Sequence, residues 1–182
     1  LITIDSMRAD MPWQGYDEEI APNLTKLAAE SVVYERAYTI SSYTAKSVGG
    51  LLAGRWTSTL YRGPTFFTVY SKANLFFPEL LQQDGVHTMA GQAHLYFDRG
   101  KNLRQGFDVW RLVPGLTWNA TTDESVTSQK MTPLGIEMLS DVGDKPFFMW
   151  LHYMDPHDKY VQHQESPRFG RKASNLYYSE IY

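Results

Sequence analysis

The chain has 182 residues, of which 43% are hydrophobic and 14% aromatic, enough apolar material for one substantial core. Its formal net charge of -3 is spread over residues of both signs, which excludes the basic stripe that a nucleic-acid interface requires. The lack of cysteine excludes disulfides and thiolate metal sites. No apolar run reaches the roughly 18 to 20 residues that span a bilayer, and the start does not resemble a signal peptide.

Segments with the apolar spacing of helices and segments with that of strands alternate along the chain. Residues 1–5 predict a strand buried on both faces, with Asp5 at its carboxyl end, and Pro22 opens a helix that should run to about Glu30. Residues 32–38 are β-branched and aromatic, which predicts a second strand.

The next segment has the clearest helix boundaries. A helix is predicted from Thr44 to Ala53, and Gly54 is a suitable C-terminal stop. Gly49 and Gly50 lie inside this helix at a cost of roughly 1 kcal/mol each against alanine, so they predict close packing of backbone against a neighbour.

The second half of the chain continues the alternation. The pattern predicts a helix over 78–84, a strand over 86–91, a helix over 122–142 that Pro133 kinks or divides, and a central strand over 146–154. Strands that alternate with helices predict an α/β fold with a mostly parallel sheet and helices on both faces. Because the sequence starts inside one predicted element and ends inside another, we expect it to be incomplete at both ends.

Three strand-to-loop junctions carry polar side chains that should meet at one edge of the sheet: Asp5, the hydroxyl-rich segment 41–47, and His157. Each has an ordinary explanation, because aspartate caps loops and Ser or Thr caps helices. The functional interpretation is that a hydroxyl at a helix N-terminus meets unpaired N–H groups, where a tetrahedral oxyanion binds. A threonine hydroxyl there needs a carboxylate-bound metal to become a nucleophile.

Five segments together, LITIDSMRAD, APNLTKLAAESVVYERAY, SYTAKSVGGLLAGR, GFDVW and FFMWLHYMDPHDKY, resemble the sulfatase family of the alkaline phosphatase superfamily in order and spacing. The resemblance runs from residue 1 to 182 and implies the N-terminal portion of a single sulfatase-like catalytic domain, with an alkaline-phosphatase-like sheet. It places a metal-binding aspartate at Asp5 and the catalytic nucleophile at Thr44, which would also touch the metal.

The chain departs from the family pattern at several of these positions. Ser6 replaces a common second aspartate, which favours Mn²⁺ or Zn²⁺ over Ca²⁺. Thr44 stands where the family has the cysteine or serine that becomes formylglycine, and threonine cannot form that group. Ser47 matches a family serine and is a candidate substrate ligand, but Val48 replaces the expected arginine and leaves Lys46 as the nearby cation.

The histidine positions are kept. A family lysine that contacts the sulfate oxygens is Gln92 here, whereas the histidine two residues later is present as His94. The family's later histidine corresponds to His157, and Asp155 and His152 resemble supporting residues. The resemblance therefore implies that His94 and His157 hold non-bridging oxygens or protonate the leaving group, with Gln92 as a substrate ligand.

These features predict a metal-dependent hydrolase of sulfate or phosphate esters in which Thr44 attacks in line. A phosphoethanolamine or phosphoglycerol transferase or a phosphodiesterase, with a phosphothreonine intermediate, is the first alternative. A catalytically inactive binding module is the second, because each lost donor of an anion pocket costs on the order of 3 to 4 kcal/mol. A plain structural fragment, with no site at all, is the third.

The expected partner is a small-molecule, glycan or lipid ester of sulfate or phosphate; nucleic acid is not expected, and partner proteins are left open. The resemblance favours a periplasmic, extracellular or membrane-anchored location. The family's remaining metal ligands lie downstream of the matched region, so we expect the 182-residue chain alone to bind metal weakly and to turn over little substrate.

Overall fold

The computed structural model describes residues 1–98, 102–117 and 127–182. The elements are β1 (Ile2–Ile4), α1 (Pro22–Ala29), α2 (Thr44–Ala53), α3 (Phe77–Gln83), β2 (His87–Gln92), β3 (Val109–Leu112), α4 (Ser128–Val142), β4 (Phe147–Tyr153) and α5 (Ala173–Ile181), with short 3-10 turns at Pro12–Gln14, Thr57–Thr59 and Leu95–Phe97. None of the helices in this part of the chain is both long and apolar enough to cross a membrane.

The four strands form one sheet in the order β1-β4-β2-β3. Strand β2 runs parallel to both β4 and β3, with Met89 opposite Met149 on one side and Val109 on the other. At the edge, Leu1 donates its N–H to the Met149 carbonyl and accepts from the Leu151 N–H, which is the pattern of a parallel ladder. The predicted α/β fold with a mostly parallel sheet is confirmed.

Helices cover both faces of this sheet, as predicted. On one face, Val48 and Leu52 of α2 pack in a core cluster with Ala90 of β2 and Trp150 of β4. The Phe77 ring of α3 joins this cluster through Phe148, with ring centroids 5.1 Å apart.

Helix α4 covers the other face. A Cβ on Gly91 of β2 would lie 2.8 Å from Leu151 Cδ2 and 3.1 Å from Met131 Sδ, so only glycine lets the helix and sheet approach this closely. Pro133 lies inside α4 without dividing it. Residues 122–126, which the sequence assigns to the same helix, lie outside the described residues.

The chain divides into two compact units. Within the described residues, the first holds the sheet with α2, α3 and α4 (residues 1–3, 39–117 and 127–153), and the second holds α1 and α5 (residues 4–38 and 154–182). The second unit has its own apolar cluster, in which Met11, Ile20 and Ala21 pack with Tyr177 and Ile181 of α5.

Two strand predictions need correction. Residues 32–38 form no strand: Val32, Tyr34 and Tyr38 are each at least 80% exposed, and no strand of the described chain pairs with them. β-Branched and aromatic residues favour strands only where a neighbouring strand supplies the ladder and the packing. Strand β1 is also not buried on both faces, because it lies at the sheet edge with Ile2 64% exposed.

Candidate active site

Thr44 is the first residue of α2 and is half-buried. Tyr43 precedes the helix in an extended conformation, and its carbonyl accepts from the N–H groups of Lys46 and Ser47 at 3.0 and 2.9 Å. No acidic residue lies in the first helical turn, so no carboxylate of that turn offsets the positive end of the helix dipole. The hydroxyl of Thr44 is therefore attached at the point of α2 that best stabilises a developing negative charge.

Hydroxyl groups fix the loop that leads into α2. The Ser47 hydroxyl donates to the Ser41 carbonyl at 2.7 Å and lies 3.0 Å from the Thr39 hydroxyl, which donates to the same carbonyl at 2.9 Å. The Tyr43 N–H donates to the Ser41 hydroxyl at 3.2 Å. Ser47 thus holds the loop beside Thr44, and its role as a substrate ligand stays a prediction.

The predicted close packing at the glycines of α2 is present. A Cβ on Gly49 would lie 2.2 Å from the Tyr70 ring, and one on Gly50 would lie 2.0 Å from Ile40 Cδ1. The Tyr70 hydroxyl donates to the Ala45 carbonyl at 2.8 Å, and burial raises the pKa of Tyr70 to about 12, which keeps this donor protonated. The N-terminal turn of α2 is therefore held from the core as well as from the loop.

Gln92 ends β2 with its side chain fully buried. Its carboxamide nitrogen and oxygen have no hydrogen-bond partner among the described residues. Across the β2–β4 pair it lies opposite His152, which is 3% exposed. A buried amide without a protein partner lowers the free energy of unfolding, and functional sites are one place where such unsatisfied groups occur.

His94 follows two residues after Gln92, at the start of the 3-10 turn Leu95–Phe97. The Tyr96 backbone N–H donates to His94 Nδ1 at 2.9 Å. Nδ1 is therefore the unprotonated nitrogen, and the ring proton lies on Nε2. In this tautomer His94 can donate from Nε2 to an anionic oxygen, which is the chemistry expected of it.

His152, which the resemblance marked as a supporting residue, belongs to a buried network with Thr3 and Trp150 that the sequence did not predict. Its Nδ1 lies 2.7 Å from the Thr3 hydroxyl, which also accepts from the Trp150 indole N–H at 2.8 Å. The Phe97 ring packs edge-on against the imidazole with centroids 5.1 Å apart. The alternation of side chains along β4 could have predicted that Trp150 and His152 lie together, since residues two apart on a strand share a face of the sheet.

Asp5 and His157 belong to the second unit. Asp5 follows β1, is half-buried and accepts from the Ser6 hydroxyl at 3.1 Å. His157 is also half-buried, and its backbone N–H donates to the Met154 carbonyl at 2.9 Å. Asp155, two residues earlier, is 6% exposed. The two units thus divide the predicted site residues: Thr44, Lys46, Ser47, Gln92 and His94 in the first, Asp5 and His157 in the second.

Within the described parts of the chain, no group of three or more His, Asp or Glu side chains is arranged to hold a metal ion. Asp5 and the Thr44 hydroxyl are oxygen donors of the kind that divalent metals accept, but they do not make a complete ligand set. The described residues therefore do not by themselves fit a bound metal.

A family model for sulfatases matches residues 1–179, almost the entire chain. The chain belongs to the sulfatase family. The sulfatase match covers both compact units, so it includes all seven predicted site residues. Members of this family and of the alkaline phosphatase superfamily are metal-dependent.

Known relatives agree with this assignment. The sulfatase chain is 24% identical over 177 residues to an N-acetylglucosamine-6-O-sulfatase of Bacteroides thetaiotaomicron, an alignment that covers 88% of the chain and 30% of that protein. It shares its fold with a protein of the alkaline phosphatase superfamily from Vibrio parahaemolyticus, at a TM-score of 0.66 and 18% identity over 99% of this chain and 47% of that one.

A third relative is the soluble domain of lipooligosaccharide phosphoethanolamine transferase A from Neisseria meningitidis, with a TM-score of 0.67 and 14% identity over 99% of this chain and 56% of that one. At these identities the solved structures show the fold alone. The chain spans 30% of the curated relative's length and about half of each solved structure.

Proposed function

We propose that the protein carrying this chain is a metal-dependent hydrolase of sulfate or phosphate esters in which Thr44 is the nucleophile. One observation carries the proposal: Thr44 is the first residue of α2, half-buried, with no carboxylate in the turn to oppose an incoming anion. The match to the sulfatase family over residues 1–179 supports the reaction class.

In the proposed reaction, the Thr44 hydroxyl releases its proton to solvent, and Oγ forms a bond to sulfur or phosphorus while the bond to the leaving oxygen breaks in line with it. His94 donates from Nε2 to a non-bridging oxygen, and His157 holds another non-bridging oxygen or gives a proton to the leaving oxygen. Lys46 adds positive charge near the ester, and Ser47 and Gln92 are candidate contacts to its oxygens. Water then cleaves the covalent intermediate and releases Thr44 together with sulfate or phosphate.

A divalent metal is part of this proposal, with Mn²⁺ or Zn²⁺ favoured over Ca²⁺ because Asp5 is followed by Ser6 rather than by a second carboxylate. Such an ion lowers the pKa of a bound hydroxyl or water and stabilises negative charge on oxygen. Asp5 and Thr44 are the ligands that this chain would contribute. We propose that the others come from the rest of the family domain.

Thr44 also supports a second candidate, a phosphoethanolamine- or phosphoglycerol-type transferase or a phosphodiesterase with a phosphothreonine intermediate. The shared fold with a phosphoethanolamine transferase domain and the absence of a formylglycine precursor favour it. In a transferase, an acceptor alcohol rather than water would take the group from Thr44.

Two features favour a third candidate, an inactive sulfatase-like binding module. Val48 stands at the family's arginine position and is 5% exposed in the core, and Gln92 brings a buried amide where the family has a lysine. Both replacements remove positive charge from the anion pocket.

A glycan ester is the favoured substrate, because the curated relative is named for a sulfated sugar. We further propose a periplasmic, extracellular or membrane-anchored location.

The decisive experiment compares the full-length protein with its Thr44→Ala variant, both supplied with Mn²⁺, on a nitrophenyl phosphodiester and on nitrophenyl sulfate. Loss of the nucleophile should lower kcat by at least about a thousandfold. Thr132→Ala, an exposed threonine on α4, is the matched control and should keep its rate. Phosphodiester turnover lost only in Thr44→Ala supports a threonine phosphoesterase or transferase, and sulfate turnover lost in the same way supports a sulfatase.

Equal background rates for the parent protein and Thr44→Ala on both esters would contradict the catalytic role of Thr44 and favour the binding module. A chelator gives an independent check, because an enzyme should lose its activity when the metal is removed whereas a binding module should keep its ligand.

A further inference from the structure

A buried tyrosine of α5 contacts the turn that follows Asp5. The backbone N–H of Arg8 donates to the Tyr177 hydroxyl at 2.8 Å, and this hydroxyl donates to the Ser6 carbonyl at 3.3 Å. One phenol oxygen thus serves as acceptor and as donor for two backbone groups of the same turn. Tyr177 therefore joins α5 to the backbone directly after Asp5.

Ser6 has a left-handed backbone conformation. Its φ is 54°, and Asn102 is the only other non-glycine residue of the described chain with a positive φ. Residues with a Cβ adopt this conformation rarely, because the Cβ crowds the following carbonyl oxygen. Ser6 is exposed, so packing around its side chain does not impose the conformation. Such residues persist where other contacts hold them, and they cluster at functional sites.

The core of the second unit fixes Tyr177 itself. Its side chain is 2% exposed, and its ring meets the Tyr160 ring edge-on with centroids 5.4 Å apart. The Arg8 guanidinium lies 5.7 Å from the centroid of the same ring. Burial raises the pKa of Tyr177 to about 12, so its hydroxyl keeps its proton at neutral pH and remains a donor to the Ser6 carbonyl.

Local contacts of the turn are weaker candidates for holding Ser6. The ion pair between Arg8 and Asp10 has both side chains exposed, and exposed pairs add little rigidity. The Ser6 hydroxyl donates to Asp5 Oδ1 at 3.1 Å, a bond between neighbours that is also exposed. The two bonds from the buried Tyr177 hydroxyl are therefore the contacts best suited to keep the turn in one conformation.

We propose that Tyr177 is a positioning residue for Asp5, an inference that rests on the proposed role of Asp5 in the reaction. The Tyr177 hydroxyl holds Ser6 in its left-handed conformation. That conformation sets the direction in which the preceding residue, Asp5, presents its carboxylate. Tyr177 acts on the reaction only through this turn and does not touch the substrate.

Tyr177→Phe in the full-length protein removes the hydroxyl and keeps the ring. Hydrogen exchange of the Arg8 amide, followed by mass spectrometry, should become at least about tenfold faster because this amide loses its acceptor. For the ester that the protein cleaves best, kcat should fall at least about tenfold, whereas KM should change less than about twofold. The matched control is Tyr178→Phe, which removes a hydroxyl that lies 2.5 Å from the Tyr16 hydroxyl, and it should change none of these quantities.

A Ser6→Gly background tests whether Tyr177 acts through the Ser6 backbone. Glycine adopts a positive φ without the steric cost, so the turn should need the Tyr177 hydroxyl less. In this background Tyr177→Phe should lower kcat less than about threefold, against at least about tenfold in the parent. Ser6→Ala loses the same hydroxyl but keeps the Cβ, so Tyr177→Phe should retain its full effect there. Unfolding midpoints verify that all variants fold.

Parental kcat in Tyr177→Phe, or an equal loss of kcat in the parent and Ser6→Gly backgrounds, would overturn the positioning role. If the parent shows no turnover, crystal structures decide instead: Ser6 should leave the left-handed region in Tyr177→Phe, and an unchanged φ would overturn the proposal.

The two proposals fail separately. If Thr44→Ala keeps full activity but Tyr177→Phe loses kcat and Ser6→Gly restores it, the nucleophile assignment is wrong and the positioning role stands. If Thr44→Ala is inactive and Tyr177→Phe is as active as the parent, the positioning role is wrong and the nucleophile stands. Parental kcat in Asp5→Asn would refute the role of Asp5 itself, whatever Tyr177→Phe does.

Discussion

Replacing Gln92 with methionine should stabilise the fold and impair the site. The side chain is fully buried, and neither polar atom of its carboxamide has a partner in the described chain. A buried polar group without a hydrogen bond costs about 1 to 3 kcal/mol, and methionine has a similar length and shape without that cost. After allowance for imperfect packing, we expect Gln92→Met to raise the free energy of unfolding by about 1 to 2 kcal/mol.

Gln105 provides the matched control. Its carboxamide nitrogen donates to the Asn74 carbonyl and to the Glu79 carboxylate, whereas its carboxamide oxygen, like that of Gln92, is buried without a partner among the described residues. The two glutamines therefore differ in whether the nitrogen is bonded. Gln105→Met should lower the free energy of unfolding by about 1.5 to 3 kcal/mol, because one of the lost bonds is to a charged group. Urea denaturation followed by tryptophan fluorescence measures both variants, and m-values that stay constant show that the comparison is valid.

Two outcomes would refute this reasoning. If Gln92→Met destabilises the protein as much as Gln105→Met does, the Gln92 amide has a partner in solution and is not an uncompensated group. If Gln92→Met is more stable than the parent, and the same substitution in the full-length protein leaves kcat/KM unchanged for the ester that this protein cleaves best, the amide does not contact the substrate. The expected combination, higher stability with lower kcat/KM, is the trade-off that functional sites commonly show.

Two further predictions concern packing and pH. Gly49→Ala should lower the free energy of unfolding by about 1 to 3 kcal/mol despite alanine's helix propensity, because its Cβ would lie 2.2 Å from the Tyr70 ring. The control is Gly63→Ala, whose Cβ would lie 3.8 Å from its nearest neighbouring atom. It should leave the free energy of unfolding almost unchanged in the same urea titration. Asp108 accepts from the N–H and hydroxyl of Thr88 at 2.9 and 3.1 Å, and chiefly the bond from the N–H lowers the pKa of this carboxyl. The ionised Asp108 carboxyl therefore stabilises the fold fully above its pKa in the unfolded chain, near 3.9, and this stabilisation is lost as the pH falls through its lower pKa in the folded protein. Asp108→Asn should thus be less stable than the parent at pH 7 and should approach the parent's stability below about pH 4. A stability difference that stays constant from pH 7 to pH 2.5 would contradict this assignment.

Several elements of the fold could be predicted because their determinants are local. Thr44–Ala53 is helical over the predicted range, since the hydroxyl-rich start and Gly54, which adopts a left-handed φ of 61°, mark both ends. An apolar run of strand length predicted the central β4 for a similar reason, because a strand buried on both faces needs few polar residues. Strand β2 lies at His87–Gln92, shifted by one residue from the predicted range 86–91 at both ends. The family resemblance was likewise present in short segments whose order and spacing are visible in the sequence.

Tertiary structure decided what depends on neighbours distant in the chain. Residues 32–38 have strand composition but no pairing strand in the described chain, and β3 was not predicted because its four half-buried residues form a strand only beside β2. Only the sheet register puts Gln92 opposite His152, and only folding brings the Phe66 ring to Tyr43. Periodicity reports which side of an element is apolar; which residues meet there is set by long-range packing, and no local pattern encodes it.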